Sequence, residues 1–119
     1  MSHKDEIKKA IGAHGLWKTK LRTAVDAGKH EYKVDVVRQD EQCEFGKWLA
    51  TLQPSAAEAP HMQKAKDLHA QFHREAANVL KLVETGQKDA AGKALAQGST
   101  FEKVTTQLTL TLMNWQKAA

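Results

Sequence analysis

The stretch PHMQKAKDLHAQFHREAANVLKLVE, residues 60–84, carries the clearest helical pattern in the chain. Its apolar side chains recur every three or four residues, which places them on one face of a helix. Pro60 suits the first turn, where its missing N–H is not needed. The apolar face consists of Met62, Ala65, Leu68, Phe72, Ala76, Val79, Leu80 and Val83. Since other elements must cover such a face, the stretch predicts a helical bundle.

Three further segments share this pattern, over residues 4–27, 40–52 and 88–115. Residues 29–40 alternate apolar and polar side chains, which suggests an extended segment, but a sheet has no partner strand here. We therefore interpret them as a structured connection. The simplest fold for these segments and their short connections is all-α: an antiparallel four-helix-type bundle with one short extra helix that carries the cysteine.

Length and composition indicate one ordinary globular domain over residues 1–119, because 41% of the residues are hydrophobic and 27% are charged. No stretch resembles a signal sequence or approaches the ~20 apolar residues of a membrane span. A single cysteine fits a reducing compartment, so we expect a cytoplasmic protein. The net charge of +4 is dispersed along the chain, so we expect neither nucleic-acid binding nor membrane insertion.

Three of the six histidines lie on the predicted apolar faces. His14 belongs to the first helix, whereas His69 and His73 are four residues apart in the third and share one side of it. A buried imidazole needs partners for its ring nitrogens, so the three call for a shared explanation. The others stand at helix or loop edges and are expected to be solvated: His3, His30 and His61.

A metal site is one such explanation. His69 and His73 can grip one ion, and His14 and Cys43 can join them from the first helix and the short helix. Three imidazoles and one thiolate suit tetrahedral Zn²⁺, although the same donors admit Cu(I), Ni or Co. The competing interpretation is that the histidines are ordinary core residues, and that Cys43 is a small buried hydrophobe.

Catalysis at such a site is not expected. Zinc proteases with a helical His-x-x-x-His pair have Glu directly after the first His, and this chain has Ala70 there. Four protein ligands also leave no position for a reactive water. A di-iron centre needs two Glu-x-x-His pairs, and the only such spacing here, Glu58 to His61, contains Pro60. We therefore predict a protein that is not an enzyme.

The short helix contains the stretch CEFGKWL, Cys43 to Leu49. Phe45 and Trp48 are predicted to pack into the core, with Cys43 in the first turn on the opposite side. Gly46 would permit close approach of another backbone or a break in the helix. Asp40 is predicted to cap the helix, with acceptance of a hydrogen bond from a ligand histidine as the alternative.

Three motifs in order, HGLW at residues 14–17, CEFGKWL and HAQFH at residues 69–73, resemble the bacterial chemoreceptor zinc-binding domain, or CZB domain. The similarity covers nearly the whole chain, and Cys-x-Phe-Gly-x-Trp is its most specific part. Trp17 belongs to the first motif. The resemblance implies that zinc is bound by His14, Cys43, His69 and His73.

The resemblance also implies a cytoplasmic sensor that serves a chemoreceptor or a diguanylate cyclase and responds to zinc or to oxidants such as hypochlorous acid. Cys43, as a thiolate, would be the redox-reactive residue. Three apolar side chains outside the main faces suggest a homodimer: Leu16, Leu110 and Met113. The chain has no room for a signalling domain, so we expect a fragment or a stand-alone member. The alternative function is an interaction module with a structural zinc.

Overall fold

The structure is a computed structural model that describes residues 3–119. Its helices are α1 His3–Ala27, α2 Val34–Arg38, α3 Glu44–Thr51, α4 Ala59–Glu84, α5 Lys88–Leu95 and α6 Thr100–Ala118, with a 3₁₀ turn at Asp40–Gln42 between α2 and α3. No strand occurs among residues 3–119, and the predicted all-α fold is confirmed.

Helix α4 is the centre of the bundle, and each of the other helices packs against it. The eight apolar side chains predicted for its face are all buried. Burying a large aliphatic or aromatic side chain stabilises the fold by about 1.5–3 kcal/mol, so this face is a main source of stability. It therefore fixes the position of every side chain that α4 carries, including His69 and His73.

Helices α1 and α6 run antiparallel. Lys18 of α1 lies 3.6 Å from the Glu102 carboxylate near the start of α6. At the other end, Gln116 donates a hydrogen bond to the carbonyl of Lys4 at 3.4 Å. The order of contacts along the two helices is thus reversed, as the predicted bundle requires.

The connection after α1 differs from the prediction. Residues 34–38 form a short helix instead of extended backbone, and the N–H groups of Val36 and Val37 both donate to the Lys33 carbonyl. The turn places Val34 and Val37, three residues apart, on the side that faces the bundle, while Val36 is exposed. A helical turn satisfies its own backbone, which an unpaired extended segment cannot do.

The predicted last helix is in fact two helices. Helix α5 ends at Leu95, and α6 begins after Ser99, whose hydroxyl accepts the N–H of Glu102. The Glu102 carboxylate in turn accepts the N–H of Gly98 at 2.9 Å, and Gly98 has a φ of 82°, which glycine adopts without strain. Ser99 thus caps α6, and the Glu102 side chain fixes the residue before the cap, so a new helix starts at a point where the apolar spacing continues unbroken.

The short cysteine helix also begins later than predicted. Residues Asp40–Gln42 form the 3₁₀ turn, and Cys43 is the N-cap of α3 and lies outside its first turn. Asp40 makes no side-chain capping bond, so its predicted capping role is wrong. Because Cys43 precedes the helix in extended backbone, a helical wheel does not describe where its side chain points.

Candidate metal centre

Four side chains from three parts of the fold meet at one point. His14 comes from α1, His69 and His73 from α4, and Cys43 from the junction between the 3₁₀ turn and α3. Each offers one ligand-type atom, and these atoms all lie within 4.8 Å of one another. Among residues 3–119 this is the one group of three or more such side chains, and it consists of the four residues predicted from the sequence.

His14 is held in one ring orientation by its own helix. Its Nδ1 donates a hydrogen bond to the Ala10 carbonyl at 2.8 Å, so its Nε2 carries the lone pair. That Nε2 lies 3.7 Å from the Cys43 Sγ. Burial lowers the pKa of His14 to about 4, although the Ala10 bond opposes this effect. The ring is therefore neutral at physiological pH and free to donate its lone pair.

His73 is oriented in the same way by a different element. Its Nδ1 donates to the carbonyl of Val37 in α2 at 2.8 Å, which leaves its Nε2 as an acceptor 3.0 Å from the Nε2 of His69. Burial lowers the pKa of His73, against the opposing effects of the Val37 bond and of the carboxylates of Asp40 and Glu41. This ring is also neutral and presents Nε2 to the centre.

His69 is the most buried of the three, with no exposed surface. Burial, and then the neighbouring His14 and His73, lower its pKa to about 2. Its Nδ1 is buried and has no hydrogen-bond partner, and the nearest carboxylate oxygen, Oδ2 of Asp40, is 3.9 Å away. A buried ring nitrogen without a partner is costly and calls for an explanation.

The donor set fits a zinc ion. In tetrahedral zinc sites, Zn–N bonds of ~2.0–2.1 Å and Zn–S bonds of ~2.3 Å place N and N about 3.4 Å apart and N and S about 3.6 Å apart. The separations of 3.0 Å between His69 and His73 and 3.7 Å between His14 and Cys43 lie close to these values. An ion between the four side chains would accept the Nε2 lone pairs of His14 and His73, whose Nδ1 atoms already donate to backbone carbonyls.

Comparison with known families is consistent with this chemistry. The family model of the chemoreceptor zinc-binding domain, CZB, matches residues 14–80, which is more than half of the chain and includes all four residues. The chain belongs to the chemoreceptor zinc-binding domain family. Zinc is accordingly the metal of this CZB domain, and its three-histidine, one-cysteine cluster is able to hold a metal ion.

No curated protein matches the chain, and no solved structure does. Among residues 3–119, no helix is both long and apolar enough to cross a bilayer. The family is linked by its description to chemoreceptor signalling.

Cys43 is the least buried member of the cluster in this CZB domain. It is partly exposed, while His14, His69 and His73 are buried. Cys43 borders a cleft of about 360 Å³ on the His14 side, next to Glu6 and Glu44. A second cleft of about 180 Å³ meets it on the other side, next to Trp17 and His73. Small reagents can therefore approach the cysteine from solvent.

Residues 37–43, here called the anchor segment, face all three histidines. The Val37 carbonyl accepts from His73, Asp40 lies near Nδ1 of His69, and the Cys43 sulfur lies near Nε2 of His14. These contacts recur every three residues, so the segment is fastened to the cluster along its length. The CZB cluster thus holds in place a segment that contains no long helix of its own.

Gly46 allows the anchor segment to turn back on α3. A Cβ atom at Gly46 would lie 2.8 Å from the Asp40 carbonyl carbon and closer still to the carbonyl oxygen. The predicted close approach of another backbone is confirmed, and the alternative of a helix break is wrong, since α3 continues to Thr51. The glycine of Cys-x-Phe-Gly therefore sets the position of the cysteine three residues earlier.

Aromatic side chains support the histidine rings. Phe45 is buried and packs edge-on against His69, with ring centroids 5.0 Å apart, as well as against His14. Trp48 stacks on Phe45 and on Trp115 of α6, so the predicted packing role of both α3 aromatics is confirmed. Trp17 lies at the edge of the site and packs against Tyr32.

Sequence reasoning missed two buried polar groups. Glu58, in the loop before α4, accepts hydrogen bonds from Trp115 at 2.9 Å, His3 at 2.8 Å and Ser55 at 3.1 Å. Burial acts to raise its pKa, but these bonds outweigh burial and lower it. His30 was expected to be solvated, yet its side chain is only 2% exposed and contacts Glu84. Neither residue has a periodic pattern around it that would have signalled burial.

Proposed function

We propose that this chain is a zinc-binding regulatory domain, with one Zn²⁺ held by His14, Cys43, His69 and His73. It senses zinc or oxidants through Cys43 and signals to a chemoreceptor or a diguanylate cyclase. The observation that carries this proposal is the unequal exposure of the four donors. Three neutral histidines are buried, while the single sulfur belongs to a partly exposed residue and is the one donor that borders both clefts. A purely structural centre has no need of an accessible cysteine.

Zinc would hold Cys43 as a thiolate, which is the reactive form of the side chain. The residue also lies at the N-terminus of α3, where the helix dipole favours negative charge. Hypochlorous acid transfers its oxygen to the sulfur: the thiolate and HOCl give sulfenic acid and chloride, and sulfur is oxidised by two electrons. Sulfenic acid is a poorer metal ligand than thiolate, so oxidation lowers the affinity of the site for zinc.

Loss of the sulfur ligand would free one end of the anchor segment. The segment contains the last two residues of α2, a 3₁₀ turn of three residues and the N-cap of α3, and only Val37 within it is buried. Segments with little buried apolar surface open locally at low cost in free energy. Displacement of residues 37–43 is therefore the structural change that we propose a partner detects.

The proposal also covers the domain organisation, the cellular location and the oligomeric state. We propose that residues 1–119 act as a single domain without enzymatic activity, in the cytoplasm, and that two copies associate. Leu16 of α1 and Leu110 and Met113 of α6 support association, because each exposes more than two-fifths of its surface. Apolar groups of this size on a bundle surface are typical of contact sites when they cluster.

The proposal is tested by following zinc release during stepwise oxidation. Zinc-loaded protein is titrated with hypochlorous acid while a fluorescent indicator reports free zinc and mass spectrometry reports the oxidation state of Cys43. We expect zinc release to rise in proportion to Cys43 oxidation. A Met113→Leu variant serves as the control, because it removes an exposed, oxidisable methionine and leaves the cluster intact.

A Cys43→Ser variant should bind zinc more weakly and lose the response to oxidant. Zinc that stays bound after Cys43 has been oxidised would contradict the sensing proposal and favour a module with a structural zinc. If zinc release disappeared in Met113→Leu, the residue that responds to the oxidant would be Met113 and not Cys43.

A further inference from the structure

The three cluster histidines differ at the ring nitrogen that faces away from the centre. Nδ1 of His14 donates to the Ala10 carbonyl and Nδ1 of His73 donates to the Val37 carbonyl, each at 2.8 Å. Metal-binding histidines almost always have such an outer partner, which fixes both the tautomer and the ring orientation. Nδ1 of His69 has no hydrogen-bond partner although its residue is fully buried.

The tautomer of His69 decides whether this ring can bind a metal ion. Because His73 donates through Nδ1, its Nε2 is an acceptor, so without an ion the 3.0 Å contact between the two Nε2 atoms is a hydrogen bond only if His69 donates through Nε2. To bind an ion through Nε2, His69 must give up that proton. The ring then stays neutral only if Nδ1 carries a proton, and a buried Nδ1–H needs an acceptor.

Asp40 lies where its carboxylate can accept a hydrogen bond from an Nδ1–H group of His69. Its Oδ2 lies 3.9 Å from Nδ1 of His69, about 1 Å beyond the usual N–H···O distance. Its side chain is 38% exposed and makes no capping bond to α3, so it is free to turn towards the ring. Its backbone is fixed, because the Cys43 N–H donates to its carbonyl and Gly46 packs against it.

Charge also favours a carboxylate at this position. One Zn²⁺, one thiolate and three neutral imidazoles carry a net charge of +1, and the Asp40 carboxylate brings the total to zero. An ion held in a buried, low-dielectric site is stabilised when the surrounding charge is balanced.

We infer that Asp40 is a positioning residue for zinc binding: it accepts a hydrogen bond from Nδ1–H of His69 and thereby selects the tautomer that presents Nε2 to the ion. The inference rests on the proposed function, since it concerns the same site. Asp40 does not touch the metal, and it acts through His69. It also means that the anchor segment supplies an outer partner to two of the three histidines, through Val37 and Asp40.

The first test measures zinc affinity by competition with a chromophoric chelator. Asp40→Ala should weaken zinc binding by about 10- to 100-fold. Asp40→Asn keeps an acceptor oxygen without the charge and should fall between Asp40→Ala and the wild type. The matched control is Glu41→Ala, which removes the same charge from the neighbouring, exposed residue and should change affinity much less.

The second test needs no variant. Long-range ¹H–¹⁵N correlation spectra of the zinc-loaded wild type should show His69 protonated at Nδ1 and bound through Nε2, and Asp40→Ala should shift that Nδ1–H signal. The inference would be overturned if Asp40→Ala bound zinc as tightly as the wild type, or if His69 bound the ion through Nδ1. Equal losses of zinc affinity in Glu41→Ala and Asp40→Ala would also overturn it, because they would show that any nearby negative charge has the same effect on zinc binding. A wild type that binds no zinc would instead refute the proposed function.

Discussion

Single residues determine the chemistry of this site through the difference between its histidines and its cysteine. His14, His69 and His73 expose 3%, 0% and 4% of their surface, so all three rings are largely buried. Cys43 is partly exposed and borders a cleft on each side. In the proposed function, the histidines therefore supply affinity, and the cysteine supplies the response.

The buried histidines predict acid sensitivity of the zinc-free protein. Burial lowers the pKa of His14 from 6.5 to about 4 and that of His69 to about 2, and it lowers the pKa of His73 as well. The unfolded chain therefore binds more protons than the folded chain below pH 6.5. Stability is fully present above that pH and is lost as the pH falls towards 4. Urea unfolding after treatment with a chelator measures this.

A His69→Leu variant provides the comparison for the pH experiment. It removes one group whose pKa is lowered while it fills a similar volume, so its stability should fall less steeply with decreasing pH. Each unit of lowered pKa corresponds to about 1.4 kcal/mol of stability. A wild-type stability that is constant from neutral pH to pH 4, or a slope that is equal in the two proteins, would show that these histidines are not buried in their neutral form.

The short elements around the anchor segment set the geometry of the cysteine. A Gly46→Ala substitution introduces a Cβ atom that contacts the Asp40 backbone, which has no flexible end to move aside. We expect a loss of about 1–3 kcal/mol in stability, together with weaker zinc binding, because the turn that carries Cys43 must shift. Thermal unfolding and chelator competition measure the two effects.

Gly12→Ala is the matched control for the Gly46 experiment. Gly12 lies in α1, two residues from His14, and no atom lies within 4 Å of the position of its Cβ. Alanine there should stabilise the helix by about 0.5–1 kcal/mol and leave zinc binding unchanged. If the two alanine variants behaved alike, the close approach at Gly46 would have no role in the site.

The start of α6 depends on its N-cap residue, Ser99. Replacing Ser99 with alanine removes the acceptor for the Glu102 N–H and should cost about 1 kcal/mol of stability without altering zinc affinity. Thr106→Ala, at an exposed position within α6, is the control and should be near neutral. A zinc affinity that fell with Ser99→Ala would mean that α5 and α6 are coupled to the metal centre.

Long periodic elements were predictable and short ones were not. The buried face of α4 and the shared side of His69 and His73 follow from spacing, because a helix of many turns repeats its pattern often enough to be read. The full set of four cluster residues was what the resemblance to the CZB domain implied. The five residues of α2 contain too few turns for that, and tertiary contacts of Val37 decide their conformation. The break before α6 had a local signal, Ser99 and Glu102, which the continued apolar spacing concealed.

The orientation of Cys43 could not be read from the sequence for a related reason. A helical wheel places it opposite the packing face only if it belongs to the helix, and it is the N-cap. The role of Asp40 depended on the same boundary, since a residue four positions before the first residue of α3 cannot cap it. Element boundaries are set by hydrogen bonds of individual residues and not by periodicity.

At the scale of the whole molecule, the bundle measures 46 × 25 × 19 Å and leaves apolar side chains exposed on α1 and α6. If these mediate the proposed homodimer, Leu110→Lys should raise the dimer dissociation constant about tenfold or more, since burial of a leucine contributes about 1.5–3 kcal/mol. Sedimentation velocity over a concentration series measures the constant.

Asn78→Lys is the control for dimerisation, because it adds the same charge at an exposed position of α4. It should leave the dissociation constant unchanged. A wild-type protein that sediments as a monomer at every concentration would contradict the proposed dimer. Equal effects of the two lysines would show that added charge, and not loss of the apolar contact, weakens association.

The four-residue cluster joins α1, the anchor segment and α4, so a metal ion bound there would tie together parts of the chain that are distant in sequence. The most direct test of this account is zinc K-edge X-ray absorption on zinc-loaded protein, combined with the metal content per chain. We predict one zinc ion per chain with three nitrogen ligands and one sulfur ligand. A sulfur-free zinc shell, or protein that retains no zinc, would contradict it.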